Sequence, residues 1–214
     1  MNLLSSLVEF ILHIDVHLQA IVSSYGGWTH VILFAIIFIE TGVVVAPFLP
    51  GDSLIFVAGS LAALGSLKMG WLLPLLIAAA IAGDTVNYWI GSFAGERLTK
   101  TRFVKPEHLH KTQQFFAKHG GKAIILARFV PIVRTLAPFV AGAGSMDYGR
   151  FLLFNVVGGA SWVGLFLFLG YYFGSLPIVR ENFELVIPAV IFLSITPLIY
   201  EYIQSRRHAA QPVS

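Results

Sequence analysis

The chain has 214 residues, of which 57% are hydrophobic and only 12% charged, with a formal net charge of +3. A soluble domain carries about 25% charged residues and about half apolar ones, so this composition excludes an ordinary soluble globule and points to an integral membrane protein. Cysteine is absent, so disulfides say nothing about the compartment.

In chain order, the N-terminus lacks the basic region and cleavage site of a signal peptide. Residues 3–22 set Ser5, Ser6, Glu9, His13 and His17 against Leu4, Leu7, Ile11 and Leu18, which predicts an amphipathic helix lying in the membrane interface. Trp28 to Val45 reads as a first apolar helix with Glu40 late in it. In 46–66, Pro47, Pro50, Gly51, Gly59 and Gly65 argue against one straight helix. Two half-helices re-entering the membrane from one side fit that segment. Trp71 to Ala94 is the next span, interrupted early by Pro74.

The segment 96–122 is basic and holds seven of the fourteen Lys and Arg. Within it, Pro106-Glu107 predicts a helix start and Gly120-Gly121 a stop. His108, His110 and His119 lack the clustered ligands that zinc takes, and read as solvated or interfacial. Residues 123–146 repeat the broken pattern, and spans at 151–174 and 183–203 follow, separated by a turn at Pro177. The fold expected is all-α: about four full transmembrane helices, two opposed re-entrant hairpins at 46–66 and 123–146, and the amphipathic helix. One membrane domain occupies 1–205, and 206–214 form a tail.

Charge orients these elements. By the positive-inside rule 96–122 is cytoplasmic, which puts Arg150 and the Arg206-Arg207 tail inside and Lys68 and Arg180 outside. The first hairpin then enters from the outer face and the second from the cytoplasmic face. Lipid headgroups are the nearer partner for the basic segment; nucleic acid is not expected.

The two broken segments carry opposite charge. Phe48-Leu-Pro50-Gly-Asp52 leads to Phe56-Val-Ala-Gly59, and Phe129-Val-Pro131-Ile-Val-Arg134 leads to Phe139-Val-Ala-Gly142. Matched broken segments point to a transporter whose halves meet at a midplane site.

Glu40, Asp52, Arg128 and Arg134 all fall in apolar surroundings. An Asp, Lys or Arg at a helix centre costs about 2.5–3.5 kcal/mol on the insertion scale, so the four must pair or face water. Paired, they would register the halves as buried salt bridges, which are weak stabilisers. Facing a polar path, the arginines offer fixed positive forks for a phosphate. The carboxyl groups can take up and release protons. Asp52 taken alone is equally explained as a helix N-cap.

Asp84, Asn87, Tyr88 and Gly91 share one helix stripe, read as packing through small and polar residues, with a place in the polar path as the alternative. Gly158, Gly159 and Ser161 read as close-packing positions. No Gly-Lys-Ser/Thr phosphate loop is present, so no nucleotide cofactor is expected, and no metal site is expected either.

Glu40, Gly51-Asp52, Gly83-Asp84-x-x-Asn87-Tyr88-x-x-Gly91, Arg128-Phe-Val-Pro131-x-x-Arg134-Thr135 and Phe154-Asn155-x-x-Gly158-x-x-x-Trp162 resemble the DedA family of bacterial inner-membrane proteins, related to eukaryotic VTT-domain proteins. The resemblance covers roughly residues 1–205. It implies two opposed re-entrant loops and translocation of lipid, notably undecaprenyl phosphate, dependent on the proton motive force. It also implies importance for Glu40, Asp52, Arg128 and Arg134, with Pro50, Gly51, Asp84, Asn87, Tyr88, Pro131, Thr135 and Asn155 in support.

The expected function is therefore a proton-linked flippase in the bacterial inner membrane, not an enzyme. Glu40 and Asp52 would couple to protons, and Arg128 and Arg134 would bind the lipid phosphate. A proton-coupled small-ion carrier and a less specific phospholipid scramblase are the alternatives. A phosphatase would need a nucleophile or base beside the arginines. Small-residue helix faces permit a homo-oligomer without requiring one.

Overall fold

Helix α1 spans Trp28–Gly42, α2 Gly51–Ala63, α3 Met69–Leu98, α4 Pro106–His119, α5 Ala123–Ala127, α6 Pro131–Ala143 and α7 Tyr148–Gly174, with a 3₁₀ turn at Gly120–Lys122. They come from a computed structural model that describes residues 28–43, 51–98, 106–174 and 176. The expected interfacial helix at 3–22, the span at 183–203 and the tail lie outside the described residues. Among the described residues two helices are long and apolar enough to cross a membrane, α3 through 25 residues and α7 through 27.

Local chemistry sets the helix ends. Val130 is extended, as the residue before a proline must be, and Pro131 then opens α6 with its fixed φ. Gly65, at φ +82°, closes α2, and the Ser66 N–H reaches back to the Leu61 carbonyl at 3.0 Å. Gly120, at φ +58°, ends α4 where the sequence predicts a stop.

Two expectations change. Within 46–66 the described residues, from Gly51 on, do not divide into half-helices, because α2 runs unbroken through Gly59; residues 46–50 lie outside the described residues. Pro74 does not interrupt α3. It is the sixth residue of that helix, so the hydrogen bond it forgoes lies close to an end where bonds are already missing. The second segment does divide, at Arg128–Val130 between α5 and α6.

The helices pack through a contact used twice. In α2, Phe56-Val-Ala-Gly59 lies on α7: a Cβ on Gly170 would sit 2.0 Å from the Phe56 carbonyl oxygen, and one on Gly59 2.2 Å from that of Leu167. In α6, Phe139-Val-Ala-Gly142 lies on α3 in the same way. A Cβ on Gly91 would sit 2.1 Å from the Phe139 oxygen, and one on Gly142 2.0 Å from that of Tyr88. Only glycine lets backbones approach so closely, and without a hydrophobic drive between helices such packing is what holds them in lipid.

The registers fix the directions. Phe56 meets Gly170 and Ser60 meets Gly174, so α2 runs with α7. The Thr135 carbonyl meets Asn87 and Phe139 meets Gly91, so α6 runs with α3. Helices α3 and α7 are antiparallel, since Tyr88 stacks on Phe151 while the Ile81 carbonyl meets Asn155. Hence α2 and α6 run in opposite directions. Phe38 of α1 lies at Gly83 and the Thr41 carbonyl at Asn87, so α1 runs with α3 and against α2.

Gly91→Ala and Gly170→Ala should each lower stability by about 1–3 kcal/mol, because the added methyl meets backbone that cannot turn aside. Gly164→Ala, with open space at its Cβ, should leave stability equal or slightly raised. Thermal unfolding midpoints of the three variants in one detergent check the contrast.

Candidate functional site

Asp84 lies at the middle of α3 and Trp162 near the middle of α7. Around that level five charged side chains converge, from α1, α2, α3, α6 and the α5–α6 break. Arg134, in the first turn of α6, donates from Nη2 to Glu40 Oε1 at 2.6 Å and from Nη1 to Asp52 Oδ1 at 2.6 Å. One planar fork thus ties α6 to both α1 and α2, with a geometry lysine cannot reproduce. Asp52 is in the first turn of α2, where the helix dipole favours its negative charge.

Arg128 caps the C-terminal end of α5. Its Nη2 donates to Asp84 Oδ2, and to Asn155 Oδ1 at 2.7 Å. Asn155 turns its amide to the Ile81 carbonyl at 3.1 Å, so it joins α3, α7 and the arginine. Arg128, Asp84, Glu40 and Asn155 are all at most 3% exposed, while the Asp52 side chain is 28% exposed. Asp52 is therefore the accessible edge of the cluster.

Trp162 connects the two arginines. Both guanidinium carbons lie over its ring, Arg128 at 5.5 Å and Arg134 at 5.0 Å from the centre, within cation–π range. Its Nε1 donates to Asp52 Oδ1 at 2.9 Å. Some polar capacity stays unfilled: Arg128 Nε and Nη1 and Glu40 Oε2 have no hydrogen-bond partner among the described residues.

The supporting residues divide by role. A Cβ on Gly51 would fall 1.7 Å from Glu40 Oε2, so this glycine makes room for the carboxylate at the start of α2. Asn87 donates to the Thr41 carbonyl at 3.2 Å and the Thr135 carbonyl at 2.9 Å, joining α1 and α6 to α3. Tyr88 donates to the Met146 carbonyl and stacks on Phe151. These contacts fit the packing reading of the α3 stripe. Asp84 departs from it, since it pairs with Arg128 inside the charge cluster. Pro131 acts through the start of α6, and Pro50 lies outside the described residues.

Sequence reasoning did not assign Trp162 a role. Its signal was present, since Asn155 and Trp162 are seven residues apart, two turns along one face of α7.

A family model described as the VTT domain matches residues 49–172. The chain is 52% identical over 216 residues to Protein DedA of Escherichia coli strain K12, with 99% of each chain covered. It is 42% identical over 165 residues to uncharacterized membrane protein ML0287 of Mycobacterium leprae, covering 76% of this chain and 74% of that one. To inner membrane protein YqjA of Escherichia coli strain K12 it is 34% identical over 177 residues, covering 81% and 80%. No solved structure matches. Names of this kind support a bacterial inner-membrane location. With the VTT model over more than half of its length and a relative aligned over nearly all of it, the chain belongs to the DedA family of membrane proteins.

Proposed function

We propose that this chain is a flippase, linked to the proton motive force, for a phosphate-bearing lipid, with undecaprenyl phosphate the leading candidate. It carries no enzymatic chemistry in this reading. The supporting observation is the cluster of three carboxylates and two arginines at mid-height of the two long helices, where α2 and α6 meet from opposite directions. In a membrane, α1–α2 and α5–α6 are two hairpins dipping from opposite faces. The segment 96–122 and the C-terminus are cytoplasmic; with α1, read from the sequence as a span, taken into the first hairpin, the full spans are α3, α7 and the expected one at 183–203.

The roles follow from the pairing. Arg128 presents its unpartnered Nε and Nη1 to a phosphate. Arg134 has a fork held by Glu40 and Asp52, so a proton on either carboxyl group loosens it for the same phosphate. With all five groups ionised the set carries one excess negative charge, which one proton balances. The polyprenyl tail stays in lipid, so only the headgroup needs a polar path.

In liposomes carrying undecaprenyl phosphate with a fluorescent headgroup, the wild type should transfer the headgroup only under a pH gradient. Arg134→Ala should lose that transfer, and Arg134→Lys should lose most of it, since charge without the fork is insufficient. Equal, gradient-independent rates in all three would sink the reading. Gradient-dependent flux in liposomes free of lipid phosphate would transfer it to a small-ion carrier.

Arg128→Ala should cost about 3–5 kcal/mol by leaving Asp84 buried and unpaired. The double variant Arg128→Met, Asp84→Leu should recover much of that stability in thermal unfolding while transfer stays absent. Transfer restored by the apolar pair would show that Arg128 only holds the fold together.

A further inference from the structure

A second basic site lies away from the charge cluster. An open recess of about 480 Å³ is formed where the 3₁₀ turn at 120–122 meets the first turn of α7. Lys118, Lys122, Arg150 and His119 line it, and among the described residues no carboxylate does. The nearest acid in sequence, Asp147, accepts the backbone N–H of Arg150 at 2.9 Å. Among the described residues, none of the three cations Lys118, Lys122 and Arg150 is in a salt bridge.

The walls are built rather than incidental. Gly120 takes φ +58°, and a Cβ on Gly121 would fall 2.5 Å from the Phe154 ring, so the turn lies down on that ring. Phe154 and the 43%-exposed Leu126 give the recess an apolar side beside its cationic one. Exposed cations next to apolar surface match an amphiphile that ends in a phosphate, and the volume lies within the usual range for a small-ligand pocket of about 300–1,000 Å³. The recess also has a physical link to the cluster. Arg150 and Asn155 are five residues apart on α7, about 7.5 Å along the helix, and Asn155 holds Arg128. Leu126 is two residues before Arg128 in the other wall.

We infer that this recess is a phosphate-binding site for a lipid headgroup at the membrane surface, the inner-leaflet docking position on the path to Arg128. The assignment of leaflet rests on the proposed function; the binding does not. Cations near a membrane surface each contribute to holding an anionic headgroup, and three of them acting together hold it strongly.

The test uses the full chain in nanodiscs of phosphatidylcholine, titrated with a fluorescent short-chain phosphatidic acid and with no gradient. Wild type should bind saturably. The variant Lys118→Gln, Lys122→Gln, Arg150→Gln should bind roughly tenfold or more weakly, whereas Lys68→Gln, an exposed cation just before α3 at its other end, should bind as wild type. Competition by inorganic phosphate identifies free phosphate as a sufficient ligand; failure to compete identifies the lipid-borne phosphate as the one recognised. Unsaturable binding, or equal affinity in the triple variant and wild type, would overturn the site. Because no transport is measured, a negative flippase assay leaves this result standing, and the converse also holds.

Discussion

Arg134 held between Glu40 and Asp52 is the contact on which the described structure depends. In a chain this apolar, an unpaired charge at helix mid-height costs several kcal/mol, and two carboxylates on different helices cannot be left without a cation. The fork solves both at once and fixes the start of α6 against the start of α2 and the end of α1. The Arg128, Asp84 and Asn155 contacts do the same for α3, α7 and the α5–α6 break. Every described membrane helix thereby supplies at least one polar group to a single level.

That level is held by backbone packing on either side of it. The Phe-Val-Ala-Gly runs of α2 and α6 dock on Gly170 and Gly91 through sub-contact Cβ positions. The two long helices they rest on are antiparallel. The repeat is therefore inverted in space as well as opposite in charge, and its helix N-termini point toward the centre from both sides. Positive helix ends facing one another would repel; Asp52 and Glu40 supply the negative charge that makes the arrangement tenable.

Much of this was legible in the sequence. The cost of charge in lipid singled out Glu40, Asp52, Arg128 and Arg134 without any knowledge of their contacts, and Pro106 and Gly120 marked both ends of α4. What could not be read were partners across helices. Asp84 shares a stripe with Asn87, Tyr88 and Gly91, and periodicity alone gives all four the same role; only the arrival of Arg128 from another element separates it. The same limit hid Trp162, whose bond to Asp52 joins residues 110 apart. Gly59 and Pro74 were read as breaks because local propensity assigns them so, yet a glycine pressed on a neighbouring backbone and a proline near a helix start are both compatible with continuous helix.

The pairing pattern also bears on why the charges persist. Ion pairs kept only to register two halves are best when fully satisfied, since a half-satisfied buried network is worse than an apolar core. Here Arg128 keeps two donors and Glu40 one oxygen without partners among the described residues, in the most buried part of the cluster. The carboxylates also outnumber the arginines by one. A register device gains nothing from either feature. A site that must accept a phosphate at one moment and a proton at another needs both: free donors where the oxyanion arrives, and a surplus acid whose protonation changes what Arg134 holds. The mismatch in count and the unfilled donors are thus the physical grounds for treating this cluster as a site rather than a clasp.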